Sequence, residues 1–249
     1  MPPPQHSRGR GSTGARRSDR CGGMTSPSTI AIIPMRHDSE RVRGKNWRAL
    51  GGRPLYRHIV DTLLRVALIG RVVIDTDSPT IADDVMAVYG DRVLVVPRPE
   101  HLRSGMTAMN DVLLHAVDGL QADWVLQTHS TNPFLRSGTI SAALCRLWEA
   151  PGRHDSLFAA TRRQGRYWWP DGTAINHDPA VLLRTQDLPP VLEENSNMYV
   201  FTPSGLRKHR NRIGVSPLIF EMDALEAWDI DDEADFRVAE SIYASGVLR

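Results

Sequence analysis

The sequence has 249 residues, of which 30 are basic and 29 are acidic, so its formal net charge at pH 7 is +1. So small a net charge creates no global field for nucleic acid or for an anionic membrane, and we expect neither as a partner. The two cysteines, Cys21 and Cys145, are too few for a disulfide framework or a cysteine metal cluster, which favours a reducing, cytoplasmic setting. The length suits one α/β catalytic domain.

The first 27 residues are rich in Pro, Gly, Ser and Arg and nearly lack large aliphatic side chains. Such a segment cannot bury enough apolar surface to offset the entropy lost on ordering, so we predict a disordered tail over residues 1–27. No apolar run follows the adjacent Arg16 and Arg17, which argues against an export signal. The catalytic domain is therefore expected to span residues 28–249.

The expected domain opens with a nearly unbroken apolar segment from Thr29 to Met35, which is typical of a central parallel strand covered on both faces. Further strands are predicted over 72–75, 93–96 and 124–128, and the segments between them have the apolar spacing of helices. This alternation predicts a doubly wound, mostly parallel, Rossmann-like α/β sheet that binds its ligands at the carboxyl ends of the strands.

The second half of the chain departs from this regular alternation. A helix over 139–149 and a strand over 156–161 precede an aromatic and proline-rich excursion, and a strand is predicted again over 198–201. We expect a small inserted subdomain at about 162–197 that carries the acceptor site or a subunit contact. A short helix from Pro203 and an amphipathic helix from Asp232 complete the chain.

A basic loop, from Arg36 to Asn46, follows the first strand, where a doubly wound sheet binds its nucleotide. Arg36 and Lys45 can neutralise the oxygens of a triphosphate, and Ser39 with nearby backbone N–H groups can cradle them. The loop lacks the glycine and lysine spacing of a Walker motif. On charge alone, a solvated basic loop without a ligand is an equal alternative.

Two acidic pairs offer hard oxygen ligands for Mg²⁺. Asp229 and Asp231 are two positions apart and project to the same side if the segment is extended. The same segment can instead begin a helix, with Asp231 or Asp232 as its cap. Asp75 and Asp77 form the rival pair, which suits a nucleotide-sugar glycosyltransferase, although Asp77 can also contact a ribose or a metal-bound water.

The segment IIPMRHDSERVRGKN, followed by LGGRPLYRHIVDTLL, resembles the opening of the acylneuraminate and Kdo cytidylyltransferases, the CMP-sialic acid synthetase group. The resemblance runs from about Ile30 to Tyr243. It implies a homodimeric enzyme that transfers CMP from CTP to an acidic sugar, a nonulosonate or Kdo-like 2-keto acid, with Mg²⁺ as cofactor and with release of pyrophosphate. Glu40 and Arg41 stand where sialic acid synthetases typically have Lys-Gly, so Arg41 or Arg43 is expected to supply the missing charge.

The resemblance also implies roles for individual residues. In WDIDDEADF, Asp229 and Asp231 fall on the family's two metal ligands, and with Arg36 and Lys45 they form the expected catalytic set. Arg98, in the segment that resembles the base-reading part of the family, is expected to contact the cytosine. The expected nucleotide-binding residues are Met35, Arg36, Ser39, Arg41, Lys45, Asn46, Asp77, Arg98 and Thr107.

Acceptor contacts are expected after the fourth strand, in VLQTHSTNPFL, and in the late segment TQDLPPVLEENSNMYVF. By resemblance either Gln127 or His129 takes the sugar-binding role, and Asn195 falls on the family's Asn. Asn132 completes the expected acceptor-binding set, although His129 alone is more typical of a structural histidine.

An acidic patch distinguishes the late segment from the sialic acid enzymes. Glu193 and Glu194 stand where those enzymes have Arg-Pro, and they disfavour an acceptor that carries a carboxylate unless nearby arginines offset them. The candidates for this offset are Arg162, Arg163, Arg166 and Arg184. The same departures, together with Glu40, suggest a catalytically silent nucleotide-binding homologue as the third alternative, beside the cytidylyltransferase and the glycosyltransferase.

Overall fold

The computed structural model describes residues 27–39 and 41–247. Glu40 and all but the last residue of the predicted disordered tail lie outside the described residues. The first strand has the predicted bounds. The described strands are β1 (Thr29–Met35), β2 (Ala49–Leu50), β3 (Arg53–Pro54), β4 (Arg71–Thr76), β5 (Val93–Pro97), β6 (Trp124–Gln127), β7 (Ser156–Arg163), β8 (Val191–Phe201) and β9 (Pro217–Glu221).

Seven of these strands form one sheet in the order β5-β4-β1-β6-β8-β7-β9, and β2 and β3 form a separate hairpin. The pairs β4–β5, β1–β4, β1–β6 and β7–β9 are parallel, whereas β8 is antiparallel to both of its neighbours, β6 and β7. The strand order reverses at β1, because the chain builds outwards to β4 and β5 on one side and to β6 on the other. The predicted mostly parallel, doubly wound sheet is confirmed, and β1 stands at its switch point.

Helices cover both faces of the sheet, as the apolar character of β1 requires. Ala31 and Ile33 pack into one buried cluster, whereas Ile30 and Ile32 pack into a second cluster on the opposite face. No helix of the described part is long and apolar enough to cross a lipid bilayer. The helices are α1 (Leu55–Leu63), α2 (Pro79–Tyr89), α3 (Met109–Ala116), α4 (Ser137–Trp148), α5 (Pro203–His209) and α6 (Glu233–Ser245).

A third buried cluster joins the basic loop and the β2–β3 hairpin to α6. It includes Val42 and Leu50 from the first part of the chain and Ile230 and Phe236 from the last part. Because Val42 and Ile230 are fully buried in this cluster, their neighbours along the chain are held side by side. This packing fixes the positions of the two segments that the sequence analysis singled out.

The edge of the sheet contains the features that the hydrophobic pattern missed. The strand predicted over 198–201 extends back to Val191, and its first half pairs with β7, with Thr161 opposite Glu193. β9 was not predicted; it pairs in parallel with β7 at the edge, where Ile219 stays exposed. Both segments carry polar or exposed side chains, so neither shows the apolar run of a central strand.

The segment between β7 and β8, residues 164–190, lies outside the sheet. It contains an isolated bridge between Trp168 and Ala174 and a short 3₁₀ turn over Thr185–Asp187. Several large apolar side chains of this segment face solvent, including Trp168, Trp169 and Leu182. Large apolar side chains that are exposed together on a folded protein often belong to an interaction surface.

Candidate active site

A cavity of about 620 Å³ opens where the carboxyl ends of β1 and β6 meet the loops that follow them. We call it the central cavity. The basic loop forms one wall, the segment that includes Asp229 and Asp231 lies beside it, and the region after β5 closes another side. Its lining includes Met35, Arg36, Ser39, Arg41, Lys45, Asn46, Arg98, Thr107, His129, Thr131, Ser196, Arg212, Asp229 and Asp231.

Cations of the basic loop meet the late carboxylates across this cavity. Arg41 Nη2 lies 2.7 Å from Asp231 Oδ1, and Lys45 Nζ donates to the backbone oxygen of Ile230 at 2.7 Å. Burial lowers the pKa of Lys45, while Asp229 and Asp231 oppose that effect. The structure therefore brings together two clusters that lie about 190 positions apart in the sequence.

The shape of the basic loop depends on an amide and a glycine. Asn46 Nδ2 donates to the backbone oxygen of Arg36 at 2.8 Å, and its Oδ1 accepts from Ser130 Oγ at 2.6 Å. Gly44 has φ +63°, and an added Cβ would lie 2.6 Å from the ring of Trp47. Asn46 lines the cavity as predicted for a nucleotide-binding residue, but both ends of its amide already hold the loop in place.

The acidic pair and the helix that follows it use separate carboxylates. Asp232 caps α6, accepting from the backbone N–H of Ala234 at 2.8 Å and of Asp235 at 3.0 Å. The predicted helix cap is confirmed at Asp232, and it leaves the carboxylates of Asp229 and Asp231 at the cavity wall, where their role as metal ligands stays a prediction.

Asp229 has the environment of a cation ligand. Its Oδ1 is buried without a hydrogen-bond partner among the described residues, and burial raises the pKa of its carboxyl, with Asp231 adding to the effect. A divalent cation would compensate this buried oxygen. The described residues contain no cluster of three or more acidic, His or Cys side chains arranged for a metal.

The rival acidic pair has other partners. Arg98 Nε lies 2.5 Å from Asp75 Oδ1, and both side chains are almost fully buried. Asp77 accepts from the backbone N–H of His37 at 2.7 Å. Neither Asp75 nor Asp77 lines the central cavity, whereas Arg98 does. Asp229 and Asp231 thus line the cavity and this pair does not, and the predicted contact of Asp77 with the nucleotide has no support from the cavity lining.

The predicted acceptor-binding residues are divided by the fold. His129 lines the central cavity, and Gln127 lies fully buried behind it, with Gln127 Nε2 2.8 Å from His129 Nε2. Asn132 and Asn195 do not line the cavity. Asn132 donates to the backbone oxygen of Trp228 at 3.5 Å, and Asn195 donates to Thr161 Oγ1 at 3.0 Å, so both connect neighbouring segments.

Arg212 and Ser196 are among the cavity residues that the sequence analysis did not single out. Arg212, in the turn after α5, places its guanidinium carbon 3.5 Å from the ring centroid of Tyr199 and donates from Nη1 to Gln127 Oε1 at 2.7 Å. Ser196 has φ +56°, a left-handed conformation that a residue with a side chain adopts at a cost. No local motif surrounds Arg212, whereas Ser196 directly follows Asn195, the residue that the resemblance placed on the family's Asn.

Burial, assisted by two nearby cations, sets the charge state of His129. Burial, Arg212 and Lys45 together lower the pKa of His129 to about 4. The imidazole is therefore neutral at physiological pH, and the positive charge around it comes from its neighbours.

The cavity lies at the switch point of a mostly parallel sheet, with basic donors on one wall and a pair of carboxylates beside them. This arrangement is typical of an α/β nucleotidyltransferase. Residues 30–242 match the family model described as cytidylyltransferase, and the chain belongs to that family.

Comparisons with individual proteins agree with this family. The chain is 28% identical over 123 residues to 3-deoxy-manno-octulosonate cytidylyltransferase of Trichlorobacter lovleyi, an alignment that covers 49% of this chain and 46% of that protein. It is 36% identical over 123 residues to CMP-N,N'-diacetyllegionaminic acid synthase of Legionella pneumophila, covering 46% and 51%. These alignments thus span about half the length of each relative.

A solved structure supports the fold over nearly the whole chain. CMP:2-keto-3-deoxy-manno-octonic acid synthetase in complex with CTP superposes with a TM-score of 0.67 at 16% identity, covering 88% of this chain and 100% of that one. At this identity the likeness establishes the architecture alone.

Proposed function

We propose that the protein transfers a cytidylyl group from CTP to a hydroxyl of an acidic sugar and releases pyrophosphate. The observation that carries the proposal is the meeting of Arg41 and Lys45 with Asp229 and Asp231 across one cavity at the switch point of the sheet. The names of the relatives support CTP as donor and a 2-keto sugar acid, of the Kdo or nonulosonate type, as acceptor.

In the proposed reaction an acceptor hydroxyl oxygen bonds to the α-phosphorus of CTP in line with the leaving group. The bond from this phosphorus to the oxygen that bridges it to the β-phosphorus breaks, pyrophosphate leaves with the bonding electron pair, and the hydroxyl proton passes to solvent. The protein has little covalent work to do, so Arg36, Arg41 and Lys45 act by positioning the triphosphate and stabilising charge on its oxygens.

Asp229 and Asp231 would hold a Mg²⁺ ion in this scheme. The orphaned, buried Oδ1 of Asp229 supports this assignment, since a buried carboxylate oxygen without a donor is compensated by a cation. When bound, the ion neutralises phosphate charge and supplies coordination that fixes the phosphate orientation. Arg41, which already contacts Asp231, holds that carboxylate next to the proposed site.

A pyrophosphate-release screen tests the proposal. The four nucleoside triphosphates are each combined with 3-deoxy-manno-octulosonate, N,N'-diacetyllegionaminate and N-acetylneuraminate, with and without Mg²⁺. We expect release with CTP and at least one of these acids, and loss of release when Mg²⁺ is chelated. A protein that binds CTP but turns over none of the acids would instead be the silent homologue, and consumption of a nucleotide-sugar without pyrophosphate would indicate the glycosyltransferase.

Lys45→Ala adds a residue-level test of the same proposal. We expect kcat/KM to fall about 100-fold or more, because one preorganised charge beside the transferred phosphate is lost. The matched control is Lys208→Ala, which replaces the only other lysine of the sequence, an exposed residue of α5. Equal activity of the two variants would contradict the role of Lys45.

We also propose that two copies associate through the segment 164–190, which exposes Trp168, Trp169 and Leu182 at 49%, 57% and 90% of their surfaces. Sedimentation velocity tests this assembly. Leu182→Asp should shift a dimer towards the monomer, whereas Val215→Asp, at a residue 79% exposed elsewhere, should not. The cytoplasmic location expected from the sequence stays a prediction.

A further inference from the structure

Arg212 occupies a built position in the central cavity. Its guanidinium stacks on Tyr199 and bonds to Gln127, two residues that lie directly opposite each other on the paired strands β6 and β8. Its backbone N–H donates to Asn110 Oδ1 at 3.2 Å, which ties the turn to α3. Asn110 thus holds the backbone of Arg212, Tyr199 covers one face of its guanidinium, and Gln127 accepts from one edge. An arginine held in this way is preorganised, so its side chain loses little conformational entropy when a ligand binds.

The directions of the hydrogen bonds around Arg212 follow from which atoms can donate and which can accept. A guanidinium can only donate, so Gln127 turns its Oε1 towards Arg212 and its Nε2 towards His129. His129 Nε2 must then accept, which leaves the ring proton on Nδ1 and keeps the imidazole neutral. His129 therefore contributes no positive charge to this end of the cavity, and its Nε2 is already engaged.

Three other cations that line the cavity, Arg98, Arg41 and Lys45, have anionic or carbonyl partners. Arg98 pairs with Asp75, Arg41 pairs with Asp231, and Lys45 donates to the Ile230 oxygen beside the acidic pair. Among the described residues, by contrast, Arg212 forms no ion pair, and its hydrogen bond to Gln127 uses one of the five N–H donors of a guanidinium. It offers the cavity a positive charge with donors to spare.

The four arginines expected to offset the acidic patch have partners elsewhere. Arg163 pairs with Glu193 and Arg162 with Glu221, each at 2.7 Å, and Arg184 pairs with Asp187. Arg166 donates to the backbone oxygen of Leu183. Tyr199, the residue on which Arg212 stacks, donates to Glu194. Glu193 and Glu194 thus have partners within the protein. None of these four arginines lines the central cavity, whereas Arg212 does.

We propose that Arg212 binds the carboxylate of the acceptor sugar acid and thereby determines that the acceptor is an acid. The inference rests on the proposed cytidylyl transfer. The planar fork of an arginine matches both oxygens of a carboxylate, and the ring of Tyr199 fixes the plane of that fork. The hydrogen bonds from Arg212 to Gln127 and from Gln127 to His129 place the anchor at the carboxyl end of β6, where His129 lines the cavity.

The test compares each acid with its neutral carboxamide analogue in wild type, Arg212→Gln and Arg212→Lys. We expect Arg212→Gln to raise the KM of the acid about 10-fold to 100-fold, with the KM of CTP changed less than about 2-fold, because a bidentate charged contact is lost. Arg212→Lys should lie between, since lysine keeps the charge but lacks the fork. Arg162→Gln and Arg163→Gln are the matched controls and should leave the KM of the acid unchanged.

The carboxamide separates recognition from a merely structural brace. Wild type should discriminate strongly between acid and amide, and Arg212→Gln should lose most of that discrimination. If the substitution instead weakens acid and amide equally, Arg212 only supports Gln127 and Tyr199, and the proposal is overturned. Should Arg212→Gln fail to fold, Arg212→Lys gives the same comparison with the stacking cation retained.

Binding measured without turnover separates this inference from the proposed function. Isothermal titration of 3-deoxy-manno-octulosonate, N,N'-diacetyllegionaminate and N-acetylneuraminate, with CDP present, reports the anchor directly. Binding that depends on Arg212, without pyrophosphate release from any triphosphate, would refute the proposed function and leave the anchor standing. Release that proceeds in the Arg212 variants with an unchanged KM for the acid would refute the anchor alone, and the absence of binding by every acid would refute it as well.

Discussion

At His129, burial and two cationic neighbours act in the same direction. They lower the pKa from 6.5 to about 4 in the folded protein. Above pH 6.5 the ring is neutral in both states, whereas between pH 6.5 and 4 the unfolded chain binds a proton that the folded protein excludes. Stability should therefore fall as the pH falls through this window, by about 3 kcal/mol in total at 1.36 kcal/mol per pKa unit.

Replacement of this ring removes its share of the acid sensitivity. We expect His129→Gln to flatten the decline in the free energy of unfolding between pH 6.5 and 4, measured by urea titration at several pH values. The exposed His101→Gln serves as the control and should follow wild type. Burial also lowers the pKa of His58, so His58 contributes to the acid sensitivity of both proteins. The prediction therefore concerns the difference in the free energy of unfolding between wild type and His129→Gln at each pH. Parallel curves for wild type and His129→Gln would contradict the prediction.

The buried ion pair of Arg98 and Asp75 predicts a large stability effect. Both side chains are at most 3% exposed, so removal of one partner leaves an uncompensated charge. Arg98→Met should lower the free energy of unfolding by about 3 to 5 kcal/mol, and Asp75→Leu in the same chain should recover part of the loss. Arg146→Met breaks an exposed pair with Glu149 and should cost less than about 1 kcal/mol. Equal denaturation midpoints for the two single variants would refute the assignment.

The same pair shows what the sequence did not reveal about single residues. Asp75 is the next-to-last residue of β4 and Arg98 follows β5, and the two meet because these strands are parallel neighbours. Their separation of 23 positions carries no periodicity that would announce an ion pair. The predicted contact of Arg98 with cytosine stays a prediction, but its side chain now has a structural partner that limits where its remaining donors can point.

At the scale of elements, the β2–β3 hairpin packs against α6 at one of the two glycines of its turn, Gly51. Gly51 and Gly52 form the turn with φ +59° and +84°, which side-chain-bearing residues adopt at a cost. A Cβ on Gly51 would lie 1.9 Å from the ring of Tyr243 in α6, whereas a Cβ on Gly52 would meet nothing within 4 Å. The ring of Tyr243 is itself packed edge-on against His58, so it has little freedom to withdraw.

These two glycines form a matched pair of tests. Gly52→Ala should cost about 1 to 2 kcal/mol through backbone strain alone. Gly51→Ala carries the same strain and in addition an overlap with Tyr243, so we expect a further loss of about 1 to 3 kcal/mol. Urea denaturation of both variants measures the difference. If the two losses agree within about 0.5 kcal/mol, the hairpin does not depend on α6 as argued here.

The sequence predicted elements well wherever both faces of the element are buried. The bounds of β1 follow from an apolar run, because residues on both faces of that strand must be apolar. The strands at the β9 edge of the sheet gave no such signal. β9 exposes Ile219, and the first half of β8 is polar and pairs with β7 but not with β6. The contributions of the basic loop and of Asp229 and Asp231 to the cavity were likewise expected. Arg212 was not, because it reaches the cavity through contacts with residues distant in sequence, such as Gln127, and no local pattern indicates them.

For the whole molecule, the central cavity joins the beginning of the chain to its end. Val42 and Ile230 share one buried cluster, and the basic loop and the acidic pair on either side of them form one site. A ligand that bridges these walls binds the folded protein and not the unfolded chain, so it must raise the stability of the molecule as a unit. Stability measurements therefore report on the site without any requirement for turnover.

This linkage gives the carboxylate Asp229 two opposite effects. Burial raises the pKa of its carboxyl, which means that the fold disfavours its charge when no cation is bound. Asp229→Asn should therefore raise Tm without ligand, whereas CTP with Mg²⁺ at about 100 times Kd should stabilise wild type by about 2.7 kcal/mol, or about 5 to 10 °C. The Mg²⁺-dependent part of that shift should disappear in Asp229→Asn and persist in the exposed control Asp118→Asn.

Differential scanning fluorimetry with CTP alone, with CTP and Mg²⁺, and with EDTA measures each part of the shift in Tm. An equal response to Mg²⁺ in wild type and Asp229→Asn would place the ion elsewhere in the molecule.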